Sequence, residues 1–216
     1  MDGFSRPAVL DVADESVLLR EQPLNLIEFV NAMGARVHRV GGRAIEVRGV
    51  PRLLGGAEGV SMYDRLEAAT ALALNAMNGG DIEVRNVDKE MVKDFTDALE
   101  RIGPDFRATT IKTDVHPGFI TDWQPIITLL LAYKGHGRSE IHEMIYEQRW
   151  SALRELGKMG VRYELFTPPG YTANDYNFNE REFNAGDPYG AYVYGPTELK
   201  PAEVDSLDVR AGITVL

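Results

Sequence analysis

Two stretches of this 216-residue sequence follow the same order of elements, and this repetition limits the folds available to the chain. Asp64 opens a predicted helix that leads to a strand and then to a second helix, which ends at 101–103 (Arg-Ile-Gly). Asp122, 58 positions later, opens the same series, which ends at 158–160 (Lys-Met-Gly). A regular repeat of this kind favours like units packed around a shared core. We therefore expect a pseudo-symmetric fold.

Each unit is of βαβα type followed by strands, so the predicted class is α/β, built from pseudo-repeated βαβαββ units. The stretch that ends at Met33-Gly34 is typical of the second half of an earlier copy, and 208–210 (Asp-Val-Arg) is typical of the start of a later one. The glycine-rich segment 51–59 separates the first copy from the next. We expect helices packed inside the sheets and a break near residues 52–60.

Hydrophobic periodicity predicts the individual elements. Helices are expected over residues 22–33, 63–77, 88–102, 126–133 and 150–159. Strands are expected over 36–39 and 44–50, as a hairpin, and over 81–87, 106–111, 139–145, 161–166 and 191–194. Residues 1–18 show no clear period, and 167–190 is predicted as a long loop of the kind that is often functional.

The segment 112–124 is the centre of the predicted arrangement. Pro117-Gly118 indicates a turn between a strand and the apolar helix 126–133. Pro125 fits only the first turn of that helix, which makes Thr121 or Asp122 the expected N-cap. A cap is the simplest interpretation of Asp122, and a functional carboxylate at the mouth of a buried helix is the alternative.

Composition excludes several classes of protein. With 33 acidic and 23 basic residues the net charge is −10, and no basic cluster points to a nucleic acid or a membrane as partner. The chain has no cysteine, and its four histidines lack a ligand spacing, so neither a metal nor another cofactor is expected. No apolar run approaches the ~18 residues of a membrane span, and no signal peptide is visible, which makes the cytoplasm the expected location.

Three motifs resemble the UDP-N-acetylglucosamine enolpyruvyl transferases (1-carboxyvinyltransferases). In residues 112–124, the run His-Pro-Gly-Phe is followed by Thr121-Asp122, as in the family's Pro-Gly-Phe turn that leads to Thr-Asp. Residues 145–150 (Ile-Tyr-Glu-Gln-Arg-Trp) resemble the family's Val-Phe-Glu-Asn-Arg-Phe, and 208–211 (Asp-Val-Arg-Ala) resemble its Asp-Leu-Arg-Ala. The resemblance covers residues 23–216, but only about half of such an enzyme.

The resemblance implies transfer of the enolpyruvyl group of phosphoenolpyruvate to the 3′-hydroxyl of UDP-N-acetylglucosamine, a step in peptidoglycan precursor synthesis. Asp122 matches the aspartate that contacts this hydroxyl and is thought to deprotonate it. Ile145 matches a residue whose backbone touches the sugar nucleotide. The other expected substrate-binding residues, all matched through the same three motifs, are Thr121, Arg149, Asp208 and Arg210.

Family members have two domains of three such repeats, with the active site in the cleft between them. The resemblance therefore implies that residues 1–57 are the tail of a first domain and that 58–216 are the first part of a second. The general acid and most of the phosphate-binding arginines are expected outside this chain, on a companion half or in an oligomer. Two alternatives stay open: a transferase with another alcohol acceptor, and a non-catalytic module for sugar-nucleotide binding or assembly.

Overall fold

A computed structural model of the chain describes residues 8–11, 21–40, 44–115, 117–146, 149–177, 183–206 and 208. The chain divides into two compact units, Met1–Tyr63 and Asp64–Leu216. Within the described ranges, no helix is long and apolar enough to cross a membrane.

The first unit contains a helix and a three-stranded antiparallel sheet of order β1-β3-β2. The elements are β1 (Ala8–Asp11), α1 (Glu21–Ala32), β2 (Arg36–Val40) and β3 (Ala44–Arg48). Gly34, with φ of 91°, allows the chain to reverse between α1 and β2, because a left-handed backbone favours glycine. The Asn31 side chain joins the same two elements, since it accepts from the Val37 amide at 2.9 Å and donates to the Val37 carbonyl at 2.7 Å. The predicted helix and hairpin are confirmed.

Strand β1 corrects the expectation that residues 1–18 contain no regular element. Ala8–Asp11 pairs antiparallel with β3, in register from Ala8 opposite Val47 to Asp11 opposite Ala44. A four-residue strand is too short to show a period of its own, and pairing with a neighbour defines it instead.

The described residues of the second unit form four α-helices and a four-stranded sheet. Its elements are α2 (Arg65–Asn78), α3 (Lys93–Ile102), β4 (Thr110–Lys112), α4 (Gln124–Tyr133), β5 (Gly137–His142), α5 (Ser151–Lys158), β6 (Arg162–Phe166) and β7 (Gly190–Gly195). Asp64 caps α2 by accepting from the Leu66 amide at 2.7 Å, as the sequence predicts. Asp88 likewise caps a 3₁₀ turn, Lys89–Val92, that leads into α3.

The sheet has the order β4-β5-β7-β6. Strands β4 and β5 are parallel, whereas β7 is antiparallel to both β5 and β6. One face carries the buried residues Ile141, Ala191 and Val193. On the opposite face, Arg138 lies 4.2 Å from the centre of the Tyr192 ring and Arg162 lies 4.2 Å from that of Tyr194. Alternation along each strand thus gives the sheet one core face and one outer face.

Helix α4 lies at the centre of the second unit, because its residues are apolar on all sides. Ile127, Leu130 and Leu131 have no exposed surface, and the helix contacts α2, α5, β5 and β7. The indole Nε1 of Trp123, just before α4, donates to the carbonyl of Arg65, at the start of α2, at 3.3 Å. The two predicted repeats therefore meet where their first helices begin.

Three predicted strands need correction. Residues 81–87 form no strand: within the described part of the chain no strand pairs with them, and Asn86 has φ of 58°, which interrupts an extended backbone. The strand predicted at 106–111 is reduced to β4, because Phe106 has φ of 48°. Strand β5 ends at His142 rather than at residue 145, because the buried side chains of Thr113 and Glu143 accept the amides of residues 144–146.

Candidate active site

Arg149 lies between two carboxylates. Its Nη1 donates to Oδ1 of Asp122 at 2.8 Å, and its Nε donates to Oδ2 of Asp208 at 3.0 Å. A longer contact of 3.4 Å joins Nη2 to Oδ1 of Asp208, so the guanidinium presents two of its nitrogens to that carboxylate. Only 6% of the Arg149 side chain is exposed, whereas Asp122 and Asp208 are 29% and 20% exposed. The result is a fixed cation with two partly accessible carboxylates.

Thr121 completes the contacts of Nη1, because its hydroxyl oxygen accepts from that nitrogen at 3.1 Å. Thr121 and Asp122 belong to a 3₁₀ turn, Thr121–Trp123, that leads directly into α4. Ile120 precedes this turn and Trp123 precedes the α-helix, so the expectation that Thr121 or Asp122 is the N-cap is wrong. The tighter turn moves the helix start onward and leaves both side chains turned toward Arg149.

The charge of Arg149 is secured by its partners. Burial disfavours the charged guanidinium, but hydrogen bonds to Asp122 and Asp208, together with their charges, outweigh burial and raise the pKa of Arg149. The Tyr146 ring, which is 53% exposed, lies 5.6 Å from the guanidinium carbon, within range of a cation–π contact. The guanidinium therefore stays charged and lies beside an exposed aromatic ring.

A second polar group, the Glu143 carboxyl, lies beneath this surface. Its Oε1 accepts from the Thr113 hydroxyl at 2.8 Å and from the amides of Ile145 and Tyr146, both at 3.1 Å. Glu143 has no exposed surface, and burial raises its pKa against the lowering effect of these three bonds and of a further hydrogen bond from the Thr121 side chain. The backbone after β5 thus turns around a buried carboxyl group.

Comparison with known proteins finds similar chains among the carboxyvinyltransferases. Residues 22–114 match the family described as EPSP synthase (3-phosphoshikimate 1-carboxyvinyltransferase). UDP-N-acetylglucosamine 1-carboxyvinyltransferase from Chlamydia abortus is 30% identical over 94% of this chain and 48% of its own length. UDP-N-acetylglucosamine 1-carboxyvinyltransferase 2 from Streptococcus thermophilus is 31% identical over 94% of this chain and 46% of its own length. The chain is thus similar, over nearly all of its length, to about half of these carboxyvinyltransferases.

A solved structure supports the same conclusion for the fold. The enolpyruvyl transferase NikO from Streptomyces tendae aligns with a TM-score of 0.64 over 98% of this chain and 48% of its own, at 18% identity. The predicted α/β class and the enolpyruvyl transferase-like repeat architecture are confirmed. The chain spans about half the length of the curated relatives it matches.

The structure brings together four of the six site residues that the motifs predict. Thr121, Asp122, Arg149 and Asp208 form one hydrogen-bonded group. Ile145 lies apart from these bonds, and its amide donates to Glu143. Arg210 lies outside the described residues. The roles assigned to all six stay predictions.

The sequence motifs assign no site role to Glu143. Arg149 pairs with Asp122 and Asp208, and Glu143 bonds to Thr113 and to backbone amides. One signal in the sequence bears on this: Glu143 follows the buried pair Ile141-His142 and precedes Met144, which is also buried. An acidic residue inside such a run requires hydrogen-bond donors of its own.

Proposed function

We propose that this chain is part of an enolpyruvyl transferase that moves the enolpyruvyl group of phosphoenolpyruvate to the 3′-hydroxyl of UDP-N-acetylglucosamine. The 3′-oxygen bonds to C2 of phosphoenolpyruvate while C3 gains a proton. The bond from C2 to the phosphate oxygen then breaks, and C3 loses a proton to restore the double bond. The hydroxyl proton needs an acceptor in the first step, and phosphate needs a cationic environment in the second.

The arrangement of Asp122 beside Arg149 carries this proposal. The Asp122 carboxylate stands on a turn fused to the buried helix α4, and a nearly buried guanidinium fixes its orientation. A base on a rigid element can be held at hydrogen-bond distance from the hydroxyl that it deprotonates. We assign Asp122 as this base, in accord with its position in the Thr-Asp motif.

The remaining site residues receive roles by their charge and position. Arg149, with its raised pKa, remains a cation whenever an anionic substrate arrives, and its planar fork suits a carboxylate or a phosphate. Asp208 holds that fork in place. Thr121 and the backbone of Ile145 are assigned to the acceptor, and Arg210 to the transferring group.

A different alcohol acceptor is the second candidate. The matching family model is named for 3-phosphoshikimate, whereas the curated relatives at about 30% identity are named for UDP-N-acetylglucosamine. Gln148 and Tyr63 also depart from the family's sequence pattern, as does the long segment 167–190. We favour the sugar nucleotide because the relatives named for it align over 94% of the chain, whereas the family model covers residues 22–114.

The chain matches only about half the length of its relatives, which supports the proposal that another chain supplies part of the active site. We propose that residues 1–57 are the tail of a first transferase domain and that 58–216 form the first part of a second, so that a companion half or a second copy completes the site. A non-catalytic sugar-nucleotide-binding or assembly module is the alternative for the chain alone. The cytoplasmic location stays a prediction.

Phosphate release tests the proposal. The protein from the complete coding region, or the chain recombined with its companion half, is given phosphoenolpyruvate with either UDP-N-acetylglucosamine or 3-phosphoshikimate. We expect phosphate release only with the sugar nucleotide, and none at an enzyme-like rate of ~10 s⁻¹ from the 216-residue chain alone. Turnover with 3-phosphoshikimate instead would reassign the acceptor, and no turnover with either would refute the transferase proposal.

A further inference from the structure

The segment 143–146 is held by an unusual density of hydrogen bonds for a stretch outside helices and strands. From within, Glu143 Oε1 accepts the amides of Ile145 and Tyr146. The Thr113 hydroxyl donates to the same oxygen and also accepts from the Met144 amide at 2.7 Å. One carboxyl group and one hydroxyl group therefore bind the three successive amides that follow Glu143.

The long segment between β6 and β7 holds the same stretch from the other side. The Asn177 amide donates to the Met144 carbonyl at 2.8 Å, and the Glu143 amide donates to the Tyr189 carbonyl at 2.9 Å. The rings of Tyr176 and Tyr189 pack with Met144 in a small buried cluster. The position of this backbone is thus determined by side chains and loops rather than by a strand ladder.

We propose that Glu143 is a positioning residue that sets the backbone of Ile145 and Tyr146 for contact with the acceptor substrate. This inference rests on the proposed function, in which the Ile145 backbone meets the sugar nucleotide. The Ile145 amide is already bonded to Glu143, so the carboxyl group determines where the rest of that peptide stands. Loss of Oε1 leaves two amides without their acceptor and frees the segment to move.

Thr121 contacts both Arg149 and Glu143, whereas the two ion pairs of Arg149 are with Asp122 and Asp208. A change at Glu143 is therefore expected to affect binding of the acceptor more than binding of phosphoenolpyruvate. A merely structural role would lower stability and change both substrates alike.

Three variants and one control test the role in the complete enzyme. Glu143→Ala removes the acceptor oxygen, Glu143→Asp keeps the charge but shortens its reach by one methylene, and Glu143→Gln keeps an oxygen at the same distance. Glu155→Ala is the matched control, because Glu155 is also nearly buried and accepts a backbone amide, that of Asp205 at 2.9 Å, outside the segment 143–146. Steady-state phosphate release gives KM for each substrate, and amide hydrogen exchange reports on Ile145 and Tyr146 directly.

We expect Glu143→Asp and Glu143→Ala to raise the acceptor KM by about 10-fold, the equivalent of one lost hydrogen bond of about 1.4 kcal/mol. The KM for phosphoenolpyruvate should change less than about 2-fold, and exchange at Ile145 and Tyr146 should accelerate. Glu143→Gln keeps the accepting oxygen, so its acceptor KM and its exchange rates at Ile145 and Tyr146 should stay close to those of wild type. Glu155→Ala should change neither quantity. Should the alanine variant not fold, the aspartate variant alone decides.

The outcomes separate this inference from the proposed function. An inactive wild type refutes the function, and the exchange measurement then decides the positioning role by itself. An active wild type whose aspartate variant keeps its acceptor KM, or keeps the exchange rates at Ile145 and Tyr146, overturns the role of Glu143. Equal changes in the KM of both substrates would also overturn it.

Discussion

Arg149 Nη1 lies 2.8 Å from Asp122 Oδ1, a bond that joins residues 27 positions apart on two different elements. Asp122 comes from the turn before α4, and Arg149 directly precedes Trp150, the N-cap of α5. The same guanidinium reaches Asp208, 59 positions further along. A single side chain thus draws three separate motifs of the sequence into one site, and its replacement should affect both stability and chemistry.

Arg149→Lys should destabilise the protein although the charge is kept. One ammonium cannot reproduce a planar fork directed at two carboxylates and a hydroxyl, so at least one partly buried carboxylate loses its partner. We expect a loss of about 1–3 kcal/mol in the free energy of unfolding, measured by urea titration.

Arg85→Lys is the matched control for that substitution. Arg85 pairs with Glu83 at 2.7 Å, but the two side chains are 76% and 70% exposed. Pairs of this kind contribute little, so the control should change the free energy of unfolding by less than about 0.5 kcal/mol. Equal effects of the two substitutions would show that the Arg149 group contributes no more than a surface ion pair.

Gly195 should not tolerate a methyl group. A Cβ at this position would lie 2.5 Å from the backbone oxygens of Gly135 and Leu131, and a backbone cannot move aside as a flexible side chain can. Gly195→Ala should lower the free energy of unfolding by about 1–3 kcal/mol. Gly186→Ala serves as the control, since its Cβ would meet only the Asn184 side chain, at 3.6 Å, and the melting temperature should change by a few degrees at most.

Glu143 should make stability depend on pH in a defined direction. Burial raises the pKa of Glu143 above its usual 4.5, so the folded state keeps this proton at pH values where the unfolded state has lost it. Its contribution to stability is therefore complete below pH 4.5 and declines as the pH rises through the folded-state pKa. Glu143→Gln removes the titration. Relative to wild type, the melting temperature of the variant should rise as the pH increases above 4.5.

Glu155→Gln should show the opposite dependence of melting temperature on pH. A hydrogen bond from Lys158 and another from the Asp205 amide lower the pKa of Glu155 below its usual 4.5. The contribution of Glu155 to stability is present above pH 4.5 and is lost as the pH falls. The melting temperature of this variant should therefore fall relative to that of wild type as the pH rises. Parallel curves for the two variants would contradict the assignment of the two carboxyl groups.

The sequence predicts structure that depends on neighbouring residues, and it fails where a residue from a distant part of the chain determines the structure. Asp64 and Gly79 bound α2 as expected, because a cap and a left-handed glycine act on their own helix. Asp122 occupies the equivalent place in the next repeat, yet it does not cap α4, because Arg149 offers it a partner from another element. Local rules alone predict the same behaviour for both residues.

The early end of β5 has a similar cause. Alternation in the sequence continues to residue 145, but the Glu143 carboxyl group accepts the amides of Ile145 and Tyr146. Whether a buried acid finds such donors depends on Thr113, which the fold brings from 30 positions away. Motif resemblance predicted residues that the fold brings together, because family motifs carry the result of such distant contacts, which a pattern of apolar residues does not.

Asp122→Asn tests whether Asp122 acts as a base or only holds Arg149 in place. The amide keeps an oxygen that can accept from Nη1, so the melting temperature should fall by only a few degrees, whereas an amide does not take the hydroxyl proton. Turnover of the complete enzyme should fall by roughly 10²-fold or more, the usual contribution of a positioned proton acceptor.

Asp64→Asn is the matched control, because Asp64 holds the equivalent position in the preceding repeat and caps α2. Asn caps about as well as Asp, so the control should melt and turn over like wild type. Melting and steady-state kinetics are measured on the same samples, and a folded Asp122→Asn enzyme with wild-type turnover would leave Asp122 as a partner of Arg149 and would remove it from the chemistry.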